Sequence, residues 1–317
     1  MPFADLHCDT ISRLLHQQRE GQPTTLRQGE PLQVNLTKLR RSGYTLQNFA
    51  LFVDLHAPQT LATSPWSELQ ALARRYWQEV QENRDWLHPV LSARDLTRAQ
   101  ETGKLAAVLT VEEGGVCQGA LSHLRTLYRL GVRMLTLSWN YENELAHPNG
   151  QQGGLTESGF AFLEEMEALG IIPDVSHLGD QGFWDVCRQA KRPFVASHSN
   201  CRALYPHRRN LTDEMLRALG DRGGLVGVNF YAGFLDGGPL ARTGDILRHL
   251  RHVIDVGGLD VVALGSDFDG IDTPVELGDA GTMDHLTTAL EQGGFTPREI
   301  DALCWGNVWR FYGEWLA

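Results

Sequence analysis

Short apolar runs that end in a histidine or a carboxylate recur along most of the chain. Each run is about as long as one β-strand, and segments with helical spacing of apolar residues separate consecutive runs. This alternation is typical of βα units that assemble into a parallel sheet. The predicted strands cover residues 3–7, 45–52, 105–111, 134–138, 171–176, 194–197, 225–230 and 261–265.

A closed barrel brings the ends of all these runs together. In a parallel barrel the carboxyl ends of the strands meet at one mouth, where enzymes of this fold carry their catalytic groups. We therefore predict an α/β fold, a (β/α)8 TIM barrel, that forms a single domain over residues 1–317. Loops around 140–157, 232–242 and 271–284 follow strands and are rich in Gly, Asn or Pro, so we expect them to rim the mouth.

Helices are predicted between the strands. Apolar residues recur at helical intervals within 69–80 and within 121–128. Thr296, Pro297 and Glu299 stand in capping-box order, which predicts that a helix begins there. The other histidines lie on predicted helices or loops and are expected at the surface, among them His56, His88, His249 and His252.

Composition excludes several classes of partner. The formal net charge of −11, without any Lys/Arg-rich run, argues against nucleic-acid binding. No apolar segment approaches the roughly 18 residues of a membrane span. The five cysteines form no C-x-x-C pair and are odd in number, which indicates a reducing compartment. The first predicted strand begins at once and leaves no room for a leader peptide, so we expect a cytoplasmic protein.

Two pairs of residues have the chemistry of metal ligands. His7 and Asp9 lie two positions apart at the end of the first run, where strand alternation turns both side chains to the same face. His177 and His198 end two consecutive runs, and two neutral imidazoles there can hold one zinc ion. We expect Asp174 or a backbone carbonyl to orient the His177 ring. The alternative is a set of buried histidines that are hydrogen-bonded to loop carboxylates.

Carboxylates and arginines complete the candidate site. Glu112 ends its run and could bridge two cations, with Glu113 as the alternative. Asp267 follows the last run and is placed to accept a proton, whereas Asp269 is expected to hydrogen-bond within the turn. Three arginines after the sixth run could bind a substrate carboxylate, although solvated charges are the common alternative: Arg202, Arg208 and Arg209.

Nine segments, taken in this order, resemble the membrane (renal) dipeptidase family of binuclear zinc peptidases, in its branch of soluble bacterial-type members. The resemblance covers nearly the whole chain, and the combination is highly specific although no single segment is. The segments are DLHCDT at 5–10, VEEGG at 111–115, LRTLYRLGVRMLTL at 124–137, DVSH at 174–177, SHSN at 197–200, RRNLTDE at 208–214, GGLVGVNFY at 223–231, GSDFDG at 265–270 and GNVWRFYG at 306–313.

The resemblance implies a barrel of the metal-dependent hydrolase type and hydrolysis of small dipeptides, with tolerance of a D-residue at the C-terminal position. Two Zn²⁺ ions per chain would be bridged by Glu112 and a hydroxide. A homodimer is also expected from the family. The implied roles are one zinc on His7 and Asp9, the other on His177 and His198, the proton carrier at Asp267 and the substrate carboxylate at Arg209.

One position departs from the family. Animal members have a histidine after the fourth strand that helps to hold the tetrahedral intermediate, and Trp139 stands at that place here. An indole donates one hydrogen bond and carries no charge, so Asn140 or Asn143 are candidate helpers. Trp139, Asn140 and Tyr231 are the predicted substrate contacts beside Arg209.

Two other functions stay open at this point. The same metal core serves hydrolysis of other small amides, N-acyl amino acids, lactones or phosphoesters, because a fold does not determine a substrate. A metal-binding protein without turnover is the second alternative.

Overall fold

Eight parallel strands close into a barrel, and helices surround it. The computed structural model describes residues 1–317. The strands are β1 (Phe3–Asp5), β2 (Tyr44–Phe52), β3 (Leu87–Pro89), β4 (Leu105–Glu112), β5 (Val132–Thr136), β6 (Ile172–Asp174), β7 (Val195–Ala196), β8 (Leu225–Val228) and β9 (Val262–Leu264). The eight barrel strands follow the order β2-β1-β9-β8-β7-β6-β5-β4, and pairing of β2 with β4 closes the barrel. The ninth strand, β3, pairs with β4 alone and is not part of the closed barrel. The predicted (β/α)8 fold is confirmed.

Helices cover the outside of the barrel and one of its ends. The predicted helices at 69–80 and 121–128 are confirmed, and both hydrogen bonds of the predicted capping box form at Thr296 and Glu299. The helices are α1 (Thr10–Arg19), α2 (Leu36–Ser42), α3 (Pro58–Ala62), α4 (Pro65–Glu82), α5 (Ala93–Thr102), α6 (Leu121–Arg129), α7 (Glu157–Leu169), α8 (Asp180–Gln189), α9 (Asp213–Asp221), α10 (Ala232–Leu235), α11 (Thr243–Gly257), α12 (Asp284–Gln292), α13 (Pro297–Asp301) and α14 (Asn307–Trp315).

Several strands are shorter than predicted, and β3 was not predicted. The strands β6, β7 and β9 end two or three residues before the polar residue that each run delivers. Side-chain acceptors take over from the backbone ladder at these points, since Asp174 Oδ1 accepts hydrogen bonds from the backbone N–H groups of Ser176 and Ser197. The candidate site residues therefore lie on tight turns just beyond the strands.

Apolar side chains close the amino-terminal end of the barrel. A cluster inside the barrel contains Ala4, Leu46 and Val108, and it continues into α14 through Phe311 and Trp315. Inside the barrel, the Tyr312 hydroxyl of α14 donates a hydrogen bond to Asn48 Oδ1 at 3.0 Å. The carboxyl ends of the strands are therefore the end at which a substrate can enter.

Two predictions about individual residue types have different outcomes. All five cysteines are free, as expected. His249 was expected at the surface, but it is fully buried in α11. Its imidazole accepts a hydrogen bond from the backbone N–H of Cys201 and donates one to the carbonyl of Leu235, each at 3.0 Å. Both polar atoms of the ring are thus satisfied inside the protein.

The predicted loop 232–242 begins with the one-turn helix α10, which was not predicted.

A helix that crosses a membrane must be both long and apolar, and no helix of this structure meets both conditions.

Candidate active site

His7 and Asp9 lie on the turn between β1 and α1. A bridge between Cys8 and Phe268 continues the pairing beyond the end of β1. His7 Nε2 lies 3.2 Å from Asp9 Oδ2, and both side chains are buried. The two residues therefore face the same point in the mouth, as the alternation predicts.

Glu112, the last residue of β4, stands between two groups of imidazoles. Its Oε2 lies 3.4 Å from His7 Nε2. Its Oε1 lies 3.0 Å from His177 Nε2 and 3.4 Å from His198 Nε2. One carboxylate thus presents a different oxygen to each side of the cluster, which is the arrangement that a bridging ligand needs.

Glu113 points away from this cluster. Its backbone has a φ of 97°, and its buried carboxylate accepts hydrogen bonds from the backbone N–H groups of Gly115 and Trp139 and from Asn143 Nδ2. Glu113 is therefore occupied in holding the loop after β5, and Glu112 is the glutamate at the mouth. Burial raises the pKa of Glu113 to about 7.

The imidazoles of His177 and His198 face each other through their Nε2 atoms, which are 2.9 Å apart. Burial lowers the pKa of His177 to about 4 and that of His198 to about 3, so both rings are neutral near pH 7. Two neutral rings that carry their protons on Nδ1 would bring two lone pairs together here. A shared cation in this position would satisfy both.

The charges around His7 also favour a cation. Burial alone would lower the pKa of His7, but the carboxylates of Glu112 and Asp9 outweigh it and raise that pKa well above the ordinary value. Burial opposes ionisation of Glu112 too, yet His7 and the hydrogen bonds from the imidazoles hold its pKa well below the usual range. Negative charge is thus concentrated in a buried pocket.

The donor set fits divalent cations such as zinc. Nitrogen and carboxylate oxygen are the ligand atoms that Zn²⁺ takes in proteins. Asp9 Oδ1 is buried and has no hydrogen-bond partner, so it is free to bind an ion. The potential ligand atoms lie within 4.8 Å of one another in two groups that share His7, one with Glu112 and His198 and the other with Asp9 and Asp267. Glu112 Oε1 and the Nε2 atoms of His177 and His198 form a third group, with distances of 2.9, 3.0 and 3.4 Å.

Asp267 lies at the edge of the cluster. Its φ of 63° turns the carboxylate into the mouth, where Oδ1 is 3.7 Å from His7 Nε2. Asn229 Nδ2 donates a hydrogen bond to Oδ2 at 2.9 Å. Burial raises the pKa of Asp267 well above its ordinary value, and nearby Asp9 and Glu112 act in the same direction. Such a carboxylate holds a proton more readily than an exposed one.

The partner of His177 differs from the prediction. Its Nδ1 lies 3.0 Å from Asn140 Oδ1, whereas Asp174 makes no hydrogen bond to this ring. Asn140 also lines the cavity, because it is exposed on the loop after β5. Asn143, the other candidate helper, is committed to Glu113 and to the backbone of its own loop.

A cavity of about 490 Å³ opens beside the cluster. Asp9, Glu112, His177 and Asp267 line its floor, and parts of the three predicted loops line one wall. The other wall comes from α1 and from the segment between β2 and α4, including Arg13, Phe52 and Asp54, which sequence reasoning missed. Arg13 lies inside a helix and Phe52 is apolar, so neither carried a signal. Asp54 follows the predicted strand 45–52 by two positions, as Asp267 follows 261–265, and this spacing could have identified it.

Trp139 and Tyr231 both line this cavity, as the predicted substrate contacts should. The Trp139 ring packs against Phe52, with ring centroids 4.7 Å apart, and its centroid lies 6.1 Å from that of His177. Tyr231 packs edge-on against Phe234 at 4.8 Å. Aromatic surfaces thus stand on two sides of the cavity.

Arg209 lies behind His198. Its guanidinium is 3.3 Å from the carbonyl oxygen of His198, and its Nε is buried without a hydrogen-bond partner. It borders a small neighbouring pocket that also touches His177, and it does not line the main cavity. The other two arginines are less buried, and Arg202 forms a two-bond ion pair with Asp180.

Comparison with known proteins identifies the family. The sequence profile of the family described as "Membrane dipeptidase (Peptidase family M19)" matches residues 1–315. A Klebsiella pneumoniae protein, described as an uncharacterized protein in the pqqA 5′ region, is 41% identical over 68% of this chain and 84% of its own length. An uncharacterized dipeptidase of Schizosaccharomyces pombe is 32% identical over 88% of this chain and 71% of its own length.

Solved structures agree with the sequence comparison. The crystal structure of a metallopeptidase from Rhodobacter sphaeroides, liganded with a phosphinate mimic of the dipeptide L-Ala-D-Ala, superposes with a TM-score of 0.91. It is 27% identical, and the match covers 100% of this chain and 99% of that one. The chain therefore belongs to the membrane dipeptidase family, peptidase family M19, and is a hydrolase of the metallopeptidase class.

Proposed function

We propose that the protein is a binuclear zinc dipeptidase that hydrolyses the peptide bond of free dipeptides. The observation that carries this proposal is the orientation of the Glu112 carboxylate, whose Oε2 faces His7 and whose Oε1 faces His177 and His198. In this proposal His7 and Asp9 hold one ion, His177 and His198 hold the other, and Glu112 contacts both. Bound in pairs, such ions lower the pKa of water and polarise a carbonyl.

The chain itself supplies the proton transfer. Asp267 would accept the proton of the attacking water on Oδ1 and return it to the leaving amine, as a general base and then a general acid. Asn229 holds Oδ2 of the same carboxylate, so the other oxygen stays turned to the site. The raised pKa of Asp267 supports this role, because a proton carrier works best when its pKa lies nearer the operating pH.

Substrate recognition would rest on the walls of the main cavity and on Arg209, which the family resemblance assigns to the substrate carboxylate. Arg209 borders the small pocket that shares His177 with the main cavity, so the carboxylate would have to reach into that pocket. A buried guanidinium with an unpartnered Nε is suited to a carboxylate, which it can bind with two hydrogen bonds. Trp139 and Tyr231 would enclose the side chains of the substrate. Asn140 would donate a hydrogen bond from its amide Nδ2 to the substrate, while its Oδ1 faces His177. The mimic of L-Ala-D-Ala that is bound to the Rhodobacter protein supports dipeptides with a C-terminal D-residue as substrates of this protein.

A substrate panel tests the proposal. Zinc-loaded protein would be incubated with L-Ala-L-Ala, L-Ala-D-Ala, L-Ala-D-Ala amide, N-acetyl-D-alanine and the tripeptide L-Ala-L-Ala-D-Ala, and free amino acids would be measured. We expect turnover of one or both dipeptides and at least a 100-fold loss for the C-terminal amide, because that amide offers Arg209 no charge. Faster release from N-acetyl-D-alanine than from any dipeptide would contradict the proposal.

A further inference from the structure

The side of His198 that faces away from Glu112 is bonded to a short chain of polar groups. His198 Nδ1 lies 2.8 Å from Ser197 Oγ, and Ser197 Oγ lies 2.6 Å from Asp174 Oδ2. All three side chains are buried, with exposed fractions of 1% or less. No solvent therefore competes for these hydrogen bonds.

The direction of these bonds follows from the donors available. An ionised carboxylate only accepts, so the single hydroxyl proton of Ser197 is donated to Asp174. The Ser197 oxygen is then left to accept, and His198 Nδ1 must be the donor. This order places the imidazole proton on Nδ1 and leaves the lone pair of Nε2 turned toward Glu112 and His177.

We propose that Ser197, held by Asp174, is a positioning residue that selects the Nδ1-protonated form of His198 and keeps Nε2 ready for a metal ion. The inference rests on the proposed function, since it assumes that His198 is a ligand. In this inference Asp174 orients His198 through Ser197, whereas the sequence analysis expected Asp174 or a backbone carbonyl to orient His177. Partners of this kind typically change metal affinity 10- to 100-fold when they are removed.

The barrel contains a second clamp of the same construction, between β1 and β9. Asp5 accepts hydrogen bonds from the backbone N–H of Ser266 at 2.9 Å and from Ser266 Oγ at 2.5 Å. Asp174 accepts the same two bonds from Ser197, at 2.9 and 2.6 Å. Each serine directly precedes a site residue, Asp267 in one case and His198 in the other.

The decisive difference between the two clamps is the contact with an imidazole ring. Besides the Asp5 carboxylate, Ser266 Oγ approaches only backbone groups, the carbonyl of His7 at 3.4 Å and the N–H of Phe268 at 3.3 Å. Ser197 Oγ contacts the His198 ring and also lies 3.3 Å from Ser176 Oγ. Ser266 is therefore a matched control that has the same backbone clamp and burial but lacks the ring contact. If Ser197 served only to join two strand ends, its removal and that of Ser266 would have equal effects.

The test compares Ser197→Ala, Ser266→Ala and His198→Ala with the wild type. Zinc affinity would be measured by competition with a chelator, and unfolding of the zinc-free protein by urea. The ¹⁵N chemical shifts of His198 would be read from histidine-labelled zinc-free protein, with His198→Ala used for assignment. We expect S197A to weaken zinc binding at least tenfold more than S266A does, and to move the His198 ¹⁵N shifts away from those of a single Nδ1-protonated form.

Equal zinc affinities for S197A and S266A, or unchanged ¹⁵N shifts in S197A, would overturn the inference. An H198A variant with undiminished zinc affinity would overturn the metal assignment in the proposed function instead, which separates the two failures. If S197A does not fold, Ser197→Cys takes its place, because a thiol of similar shape accepts hydrogen bonds only weakly.

Discussion

At the scale of single residues, the site depends on backbone conformations that residues other than glycine rarely adopt. His177 and Asp267 have φ values of 71° and 63°, in the left-handed region that costs energy for a residue with a β-carbon. Both residues follow short strands, and both turn their side chains into the mouth because of this conformation. Such strain is retained where the surrounding hydrogen bonds hold it, as Asn229 does for Asp267.

The first prediction concerns Asp267. We expect Asp267→Asn to lower kcat by roughly 10²- to 10⁴-fold, since that is the usual contribution of a general acid or base. Metal content should stay at the wild-type value, because His7, Asp9 and Glu112 keep their places. Steady-state kinetics and elemental analysis measure the two quantities. Asp221→Asn, at an exposed helix end, is the control, and a D267N enzyme with wild-type kcat would show that the proton carrier is another group.

At the scale of elements, α11 is tied to the site side of the barrel through His249. The imidazole joins the helix to the backbone at Cys201, three positions after His198, and to the carbonyl of Leu235 at the end of α10. Burial lowers the pKa of His249 to about 4 from an ordinary 6.5, so the ring is neutral in the folded state. The bonds between these elements therefore need the unprotonated ring.

This arrangement predicts acid sensitivity. A base with a folded-state pKa below its unfolded-state pKa contributes its full stability above pH 6.5, and this stability is lost as the pH falls from 6.5 towards about 4. The loss is on the order of 3 kcal/mol from this one group. Urea unfolding at pH 7.5, 5.5 and 4.5 measures it.

His249→Gln should be less stable at pH 7.5 and should show a smaller loss of stability between pH 7.5 and 4.5 than the wild type. The exposed His285→Gln is the control and should follow the wild type at every pH. An identical pH dependence in H249Q and the wild type would show that the ring is already protonated or solvated in the folded protein.

At the scale of the whole molecule, the barrel brings together groups that would repel one another without a cation. The buried carboxylates of Asp9 and Glu112 and the half-buried carboxylate of Asp267 surround His7, and the mouth also contains the two facing Nε2 atoms. A ligand that binds only the folded state adds stability according to its concentration and affinity. Bound metal should thus stabilise the entire fold.

Removal of metal tests this point. We expect dialysis against a chelator to lower Tm by several degrees, and added Zn²⁺ to restore it, since a ligand at 1,000 times its Kd adds about 4 kcal/mol. Elemental analysis of the restored protein should give two zinc ions per chain. The Glu112→Gln variant should recover much less of its Tm on zinc addition. A Tm that is the same with chelator and with zinc would contradict the metal site.

The homodimer stays a prediction, and light scattering can measure the oligomeric state.

Much of this protein was predictable because its informative patterns are local. Strand-length apolar runs that end in His7, Glu112, His198 or Asp267 are enough to predict a parallel barrel and to place those residues at one mouth, since parallel strands share a direction. The order of the motifs in the chain indicates the family as well, and the comparisons confirm it.

The tertiary structure alone decided which partner each side chain meets. Asn140 rather than Asp174 faces His177, Asp174 reaches His198 through Ser197, and Asp5 bonds to Ser266 at a separation of 261 positions in the chain. The burial of His249 and the cavity wall from α1 were equally invisible in the sequence. Hydrogen bonds extend over about 3 Å, so their partners depend on how distant turns approach one another after the barrel closes. Apolar periodicity specifies where strands lie, but it does not specify these approaches.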